Sequence, residues 1–360
     1  MLTTRFDVET VRRSLMPRAD WKPFPQATDR EPWQALLASP LNRERRGYLV
    51  GQAEGLLGEP WPSLPATTYM EFVRNGNRSR YETPYFKRRR RLGVLVLAEC
   101  FEAQGRFLDE IANGLWAISE EASWSVPAHA RNAPDPLPSA EAEMVDLFAA
   151  ETAMIVARTL YLVGEGLQAI SPSLVRRMEQ ETLRRVIVPV ETRDDFGWFS
   201  GFNNWTPWIC SNVEGAAMHL VEDPDRLAAL TFKLMETVDR FIGHYGPDGG
   251  CDEGPGYWGV AAGAMLRFLE HLHSRSNGAL SIYDEPLIGN MGRFIVDTHL
   301  AGPWFTNFAD APARIGLRRD VVYRYGERIG SRLMQDAALL ASRDYSAENE
   351  VYPVLNTQVN

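Results

Sequence analysis

Residues 203–259, NNWTPWICSNVEGAAMHLVEDPDRLAALTFKLMETVDRFIGHYGPDGGCDEGPGYWG, decide the fold. Proline is favoured at the first position of a helix, behind a capping residue, because the N–H it lacks has no acceptor inside the helix. Thr206-Pro207, Asp223-Pro224 and Gly254-Pro255 therefore read as helix starts. The apolar periodicity behind them predicts helices over 207–222, 224–245 and 255–275. The connection at Glu222-Asp223 is short, and the one over 246–254 is long.

The same signals extend outward. Thr83-Pro84 and Ser171-Pro172 mark further starts, and periodic segments run over 84–104, 107–121, 140–166, 172–190, 285–301 and 317–342. Shorter helices are expected near 31–38 and 42–57, and no period-two strand is convincing, so the chain reads as all-α. Short connections join antiparallel neighbours. Counting directions from Pro84 places the starts near 140, Pro207 and Pro255 at one common end. The long connections 122–139, 191–206, 246–254 and 302–316 gather there, whereas Gln104-Gly105-Arg106, Gln168-Ala169-Ile170 and Glu222-Asp223 turn tightly at the other end. Repeated helical hairpins with that asymmetry suggest an α/α toroid, and an irregular helical bundle is the alternative. The expected division is an N-terminal helical segment over 1–80 packing on the toroid, the toroid over 81–345, and a tail over 346–360.

Composition bounds the function. The chain is 45% hydrophobic and 24% charged, as expected of a globular protein with a large core. Its net charge of −9 argues against nucleic acid as a partner. No apolar run approaches the roughly 18–20 residues of a membrane span, so no membrane association is expected. The N-terminus shows no signal-peptide pattern, which predicts a cytoplasmic protein, or a periplasmic or secreted one if a leader was removed. Cys100, Cys210 and Cys251 are widely spaced without a CxxC, which signals neither a disulfide framework nor a zinc site. No cofactor and no metal are expected.

Long loops on one end of a helical scaffold are where binding and chemistry usually sit. The first, RNGNRSRYETPYF, offers Arg74, Arg78, Arg80, Tyr81 and Glu82 either as an anion-recognising cluster near a helix N-terminus or as a solvated turn. The KRRRR run, Lys87 to Arg91, reads as a charged helix face with no role in a site. The second loop carries His129, a surface residue or a general base, with Glu120 and Glu121 upstream to orient it. Trp124 reads as core or as a sugar platform. The third holds Asn203 and Asn204, as turn formers or as amides for a ligand, among Trp205 and Trp208, which are core or sugar platforms. In the fourth, the glycines of DGGCDEGPGYWG satisfy positive-φ turns or keep the backbone bare for a ligand. There Gly254-Pro255 is expected to launch a helix with Tyr257 in its first turn. The fifth, with Trp304, Asn307, Asp310 and Arg314, reads as a short non-helical segment closing the ring.

Taken together, YETPYFKRR, EEASWSVPAH, NNWTPWICSN and DGGCDEGPGYWG resemble the heparinase II/III-like polysaccharide lyases, in order and over roughly residues 20–340. The resemblance implies an α/α toroid and cleavage of a uronic-acid-containing glycan by β-elimination, leaving a 4,5-unsaturated uronate end. It implies Asn204 on the substrate carboxylate, Tyr257 as general acid and also as base in a syn elimination, His129 as base in an anti elimination, and Glu253 orienting the site. Arg78, Arg80, Tyr81, Asn203, Trp205, Trp208, Trp258 and Asn307 complete the substrate-binding set. The expected partner is an anionic polysaccharide or oligosaccharide, and the glycines become clearance for a sugar chain. Two departures follow. Several relatives place His after the Asn, where this chain has Trp205, so that base does not carry over. Members also carry a β-sandwich after the toroid; its absence here predicts a truncated chain or half of a split enzyme, and the expected protein partner is the missing β-sandwich domain or a second copy in a homo-oligomer. The rival expectations are a glycoside hydrolase using Asp252 or Glu253 with a distant second acid, and a catalytically silent glycan-binding domain.

Overall fold

The computed structural model describes residues 1–130, 135–139 and 143–341. The expected helix start at 140, the helix end at 342 and the tail over 346–360 lie outside the described residues. In chain order the helices are α1 (Leu2–Arg5), α2 (Val8–Ser14), α3 (Arg30–Leu36), α4 (Pro40–Glu54), α5 (Ala66–Asn75), α6 (Ser79–Glu102), α7 (Leu108–Ser119), α8 (Leu147–Ile170), α9 (Pro172–Thr182) and α10 (Val188–Thr192). There follow α11 (Trp205–Leu220), α12 (Pro224–Gly243), α13 (Ala262–Arg275), α14 (Pro286–Asp297), α15 (Arg319–Arg328) and α16 (Arg332–Ala341). Among the described residues, the strands are β1 (His299–Ala301) and β2 (Trp304–Phe305), which form an antiparallel hairpin. The protein is all-α in class.

The proline rule holds where a side chain caps the helix. Ser171 accepts from the Leu174 amide at 3.2 Å, and Asp223 accepts from the Asp225 and Arg226 amides at 2.9 Å each, with Pro172 and Pro224 following directly. It also holds at Pro40 and Pro286, which open α4 and α14 without a side-chain cap, but it misleads at Pro84, Pro207 and Pro255. α6 starts at Ser79 and carries Pro84 inside it, and α11 starts at Trp205, two residues before Pro207. Gly254-Pro255 launches no helix: Gly254 sits at φ +83° in a turn, a short 3₁₀ segment spans Trp258–Val260, and α13 begins only at Ala262. Proline's fixed φ serves turns as readily as helix starts. The periodic stretch over 317–342 breaks into α15 and α16 at Gly330, which takes φ +68°. Between α9 and α10 the chain widens into a π segment, Leu183–Ile187, just before Pro189, which has no N–H to give the Arg185 carbonyl.

The chain divides into two units. One holds Met1–Pro23 and the described chain from Asp194 to Ala341; the other holds Phe24–Arg193. In the first, α11 packs on α12 and α13, α13 packs on α14 and α15, and α1 and α2 lie on α12. α11 is buried from Ile209 through Leu220. In the second, α6 packs on α4, α7 and α8, and α9 packs on α7 and α8. The apolar stretch Leu92–Cys100 of α6 is wholly buried. α8 is by length and composition apolar enough to cross a membrane, contrary to the expectation that no run is; most of its apolar window is buried within the protein.

The KRRRR run is not a solvated face. Arg88, Arg89 and Arg91 are buried. Both Arg88 and Arg89 reach the fully buried carboxylate of Glu121, at 3.1 and 2.6 Å, and the Arg89 guanidinium lies 3.3 Å from the Tyr85 ring centroid. Arg91 donates to the carbonyls of Leu56, Glu59 and Pro60 and to Glu110. These guanidiniums fasten the segment before α5 to α6 and α7. Planar multi-donor heads suit that task, since one guanidinium reaches several acceptors on different segments at once.

Candidate functional site

In the first unit, the start of α11 and the loop 248–259 meet at one hydrogen bond: Asn204 Nδ2 donates to Glu253 Oε2 at 2.6 Å. Asn204 is buried at the N-terminal end of α11 and its side chain does not cap the helix. Its amide therefore belongs to the Glu253 contact, with a second N–H and the carbonyl oxygen remaining for a ligand. Glu253 is half-buried, and its carboxyl is pushed above the usual range by burial, opposed by the Asn204 hydrogen bond and reinforced by the negative charges of Asp310 and Asp252. Tyr257 follows one turn later: its amide donates to the Gly254 carbonyl at 3.2 Å, and its half-buried hydroxyl has no hydrogen-bond partner among the described residues.

The glycines of this loop serve the protein's own packing, not clearance for a sugar. Gly249 has φ +74°, and a Cβ there would lie 2.3 Å from the backbone of Asn290 and Met291. At Gly254 a Cβ would meet the Phe308 carbonyl oxygen at 2.6 Å and the Ala311 Cβ at 2.8 Å. Gly256 sits against Pro312 and Ala311. The bare backbone thus lets the segment 308–312 close onto the loop, which is how Asp310 comes to influence Glu253. Gly259 likewise admits the Arg318 side chain, whose Nη1 donates to the Gly259 carbonyl at 3.1 Å and sets a guanidinium two residues beyond Tyr257.

The remaining expected residues of this unit divide. Trp258 is 2% exposed, donates from Nε1 to the Met291 carbonyl and lies against Tyr325, so it is a core residue and not a sugar contact. Trp205 and Trp208 are half-buried beside Asn204, and Asn203 and Asn307 are exposed. Asn203 holds the turn by accepting from the Trp205 amide at 3.1 Å.

In the second unit, His129 closes a 3₁₀ turn, Pro127–His129, and its Nδ1 meets Asp146 Oδ2 at 2.7 Å. Its ring stacks on Phe148 at 5.4 Å. Asp146 is fully buried and also caps α8, Oδ1 accepting from the amides of Phe148 and Ala149. Asp146, not Glu120 or Glu121, orients the imidazole; Glu120 is exposed and Glu121 is committed to the arginines. A carboxylate on Nδ1 fixes the tautomer that presents Nε2 as the basic nitrogen. Trp124 is buried and donates to the Ile118 carbonyl, which makes it core.

The first loop is spent on internal pairs. Arg78 is held by Glu82 at 2.8 Å and Arg80 by Glu71 at 3.1 Å. Tyr81 is a core residue, edge-on to Tyr69 and stacked with Tyr85, and burial pushes its phenol well above the ordinary range. It is therefore no substrate contact. Cys100, Cys210 and Cys251 are buried free thiols. Among the described residues, no group of three or more His, Cys, Asp or Glu is placed to hold a metal ion.

Asp146 and Arg318 escape the sequence reading, and Asp310 enters it only as part of the fifth loop, with no link to Glu253. Asp146 carried a signal, an acidic residue directly before an apolar helical run, which is a capping pattern. Asp310 and Arg318 reach their positions only through tertiary packing. The chain matches no protein-family model and no curated protein.

Proposed function

We propose that the protein is a polysaccharide lyase that cleaves a uronic-acid-containing glycan by β-elimination, on an α/α-toroid scaffold. The observation that carries the reading is the buried Asn204 amide held by Glu253, one turn from the unpartnered Tyr257 hydroxyl. Elimination requires three things: relief of negative charge at the C6 carboxylate, removal of the C5 proton, and a proton for the departing O4. The second Asn204 N–H meets the first need, stabilising the enolate that forms as the C5 proton leaves. Glu253 accepts from the first Asn204 N–H and so holds the amide in place, its carboxyl raised above the ordinary range by burial. Tyr257 takes the C5 proton and returns one to O4 as the C4–O4 bond breaks and the C4=C5 bond forms. A tyrosine acting as base needs positive potential nearby. Arg318, hydrogen-bonded to the Gly259 carbonyl two residues along the chain, is the candidate cation within this unit.

The packing of alternate helices supports the toroid: α6 with α8, α7 with α9, α11 with α13 and α13 with α15 all touch within their units, as stacked helical hairpins require. The glycan is anionic, and neither cofactor nor metal enters the scheme. His129, held by Asp146, belongs to the other unit, and its part in an anti elimination rests on the family resemblance alone.

A second reading, a glycoside hydrolase, draws on one observation. Burial pushes the Glu253 carboxyl above the ordinary range, the direction a proton donor needs, and the charge of Asp310, a second acid, acts in the same direction. Ultraviolet absorbance of a new C4=C5 double bond, on a panel of uronate polysaccharides, decides between them. Lyase action produces it, whereas hydrolysis yields reducing ends without it. Tyr257→Phe abolishes the absorbance if Tyr257 transfers the protons, and His129→Ala reports whether the imidazole takes part. Full elimination by Tyr257→Phe removes Tyr257 from the mechanism.

A further inference from the structure

The segment that closes on Gly254 also builds a small exposed platform. Beyond the β1–β2 hairpin the chain returns and pairs with β2: the Phe305 amide donates to the Ala313 carbonyl at 2.9 Å, and the Ile315 amide to the Pro303 carbonyl at 3.0 Å. Trp304 and Arg314 are thereby bridged directly opposite each other. Opposed residues in such a ladder project to the same face, and the Arg314 guanidinium lies 5.5 Å from the Trp304 ring centroid. Trp304 is 50% exposed, and Arg314 is exposed as well. Arg314 has no carboxylate partner among the described residues, whereas the exposed arginines Arg12, Arg78 and Arg80 each have one. An indole and an uncommitted guanidinium are thus held side by side by main-chain hydrogen bonds. They sit on the same short segment whose Phe308 and Ala311 seat against Gly254, next to Glu253.

We propose that Trp304 and Arg314 form a subsite for one acidic sugar residue of the glycan. The indole offers a flat apolar surface for the C–H face of a pyranose ring. The guanidinium offers paired donors for its carboxylate or sulfate. One cation beside one indole is too little to track a polynucleotide backbone, and suits a single acidic sugar ring better than a run of stacked bases. The choice of ligand rests on the lyase reading; the platform itself does not.

The test is calorimetric titration of the full chain with uronate and sulfated oligosaccharides, a neutral cello-oligosaccharide and a single-stranded oligodeoxynucleotide, for wild type, Trp304→Ala, Trp304→Phe and Arg314→Gln. The expected result is binding of an acidic oligosaccharide that weakens about tenfold or more in Trp304→Ala and in Arg314→Gln, stays within about threefold in Trp304→Phe, and loses its preference over the neutral oligomer in Arg314→Gln. Thermal melting checks that each variant is folded, and Arg314→Gln alone decides if Trp304→Ala is not. Affinities of both variants within about twofold of wild type, no binding of any acidic oligosaccharide, or tighter binding of the oligodeoxynucleotide overturns the subsite. Absorbance at the double bond, followed in parallel, separates the two proposals. Binding that depends on Trp304 without any unsaturated product sinks the lyase reading and keeps the subsite; elimination with unchanged affinity in the variants does the reverse.

Discussion

Asn204 and Glu253, 49 residues apart in the chain, share a 2.6 Å hydrogen bond that joins the start of α11 to the glycine-rich loop. If the pair acts as one device, truncating either partner removes the same function. Asn204→Ala is expected to lower kcat/KM for a uronate oligosaccharide about a hundredfold, a typical loss for a donor that stabilises developing charge. Glu253→Ala loses a similar amount, and the double variant little more. Glu253→Gln keeps an acceptor for Asn204 and retains most activity. Steady-state kinetics on the four variants measures this, and simple additivity of the two alanine losses shows that the residues act separately.

Gly254 combines φ +83° with a Cβ position 2.6 Å from the Phe308 carbonyl. Gly76 has a similar φ of +75° but open space around it. Gly254→Ala is expected to destabilise the protein by at least 2 to 3 kcal/mol more than the roughly 1 kcal/mol that the left-handed backbone alone costs in Gly76→Ala. Urea unfolding of both variants gives the difference. Equal costs would mean that the 308–312 segment yields freely.

Asp146 holds His129 and caps α8 with the same carboxylate. Asp146→Ala is expected to cost about 2 to 4 kcal/mol, the loss of a helix cap plus buried donors left unpaired. His129→Ala, which removes the ring but leaves the α8 cap in place, costs less. Chemical denaturation ranks the two, and a larger loss for His129→Ala contradicts the assignment of Asp146 as the structural anchor.

Glu214 lies inside α11, fully buried, with Thr231 at 3.2 Å from one oxygen and no partner for the other among the described residues. Burial pushes its carboxyl up to about 8, moderated by Thr231 and by the charge of Arg275. Its proton is retained in the folded state and released in the unfolded one, so its contribution to stability falls as pH rises from the ordinary carboxyl range through about 8. Glu214→Gln, which fixes the neutral form, is expected to match wild type near pH 4 and to be the more stable by up to about 4 to 5 kcal/mol above pH 8. Unfolding free energies across that range test it, and a pH-independent difference would mean that Glu214 is not protonated when folded.

The helical class was legible because apolar periodicity and caps are local. Ser171 and Asp223 announce α9 and α12 within three residues of the first turn. The same logic failed at Pro84 and Pro255, since a proline constrains φ without saying whether a helix or a turn uses it. Arginines 88, 89 and 91 read as surface because a charge run looks the same whichever way its face turns. What turns them inward is Glu121 and the carbonyls of 56–62, supplied from other elements. The candidate site was legible residue by residue and not as an arrangement. Asn204, Glu253 and Tyr257 were named from the sequence, yet the bond between the first two obeys no spacing rule. Trp258 and Tyr81 were indistinguishable from ligand-facing aromatics until their neighbours were known.

The buried arginines of α6 also make a clock. Lys87–Arg91 is the longest run of consecutive basic residues in the chain, and hence its densest set of trypsin-sensitive bonds. Yet those bonds lie within a wound helix, with three of the five side chains turned into the interior. A protease must take its substrate extended, so cutting there waits for α6 to unwind and for Glu121 to release its cations. Cleavage at this one place therefore times how often the unit opens.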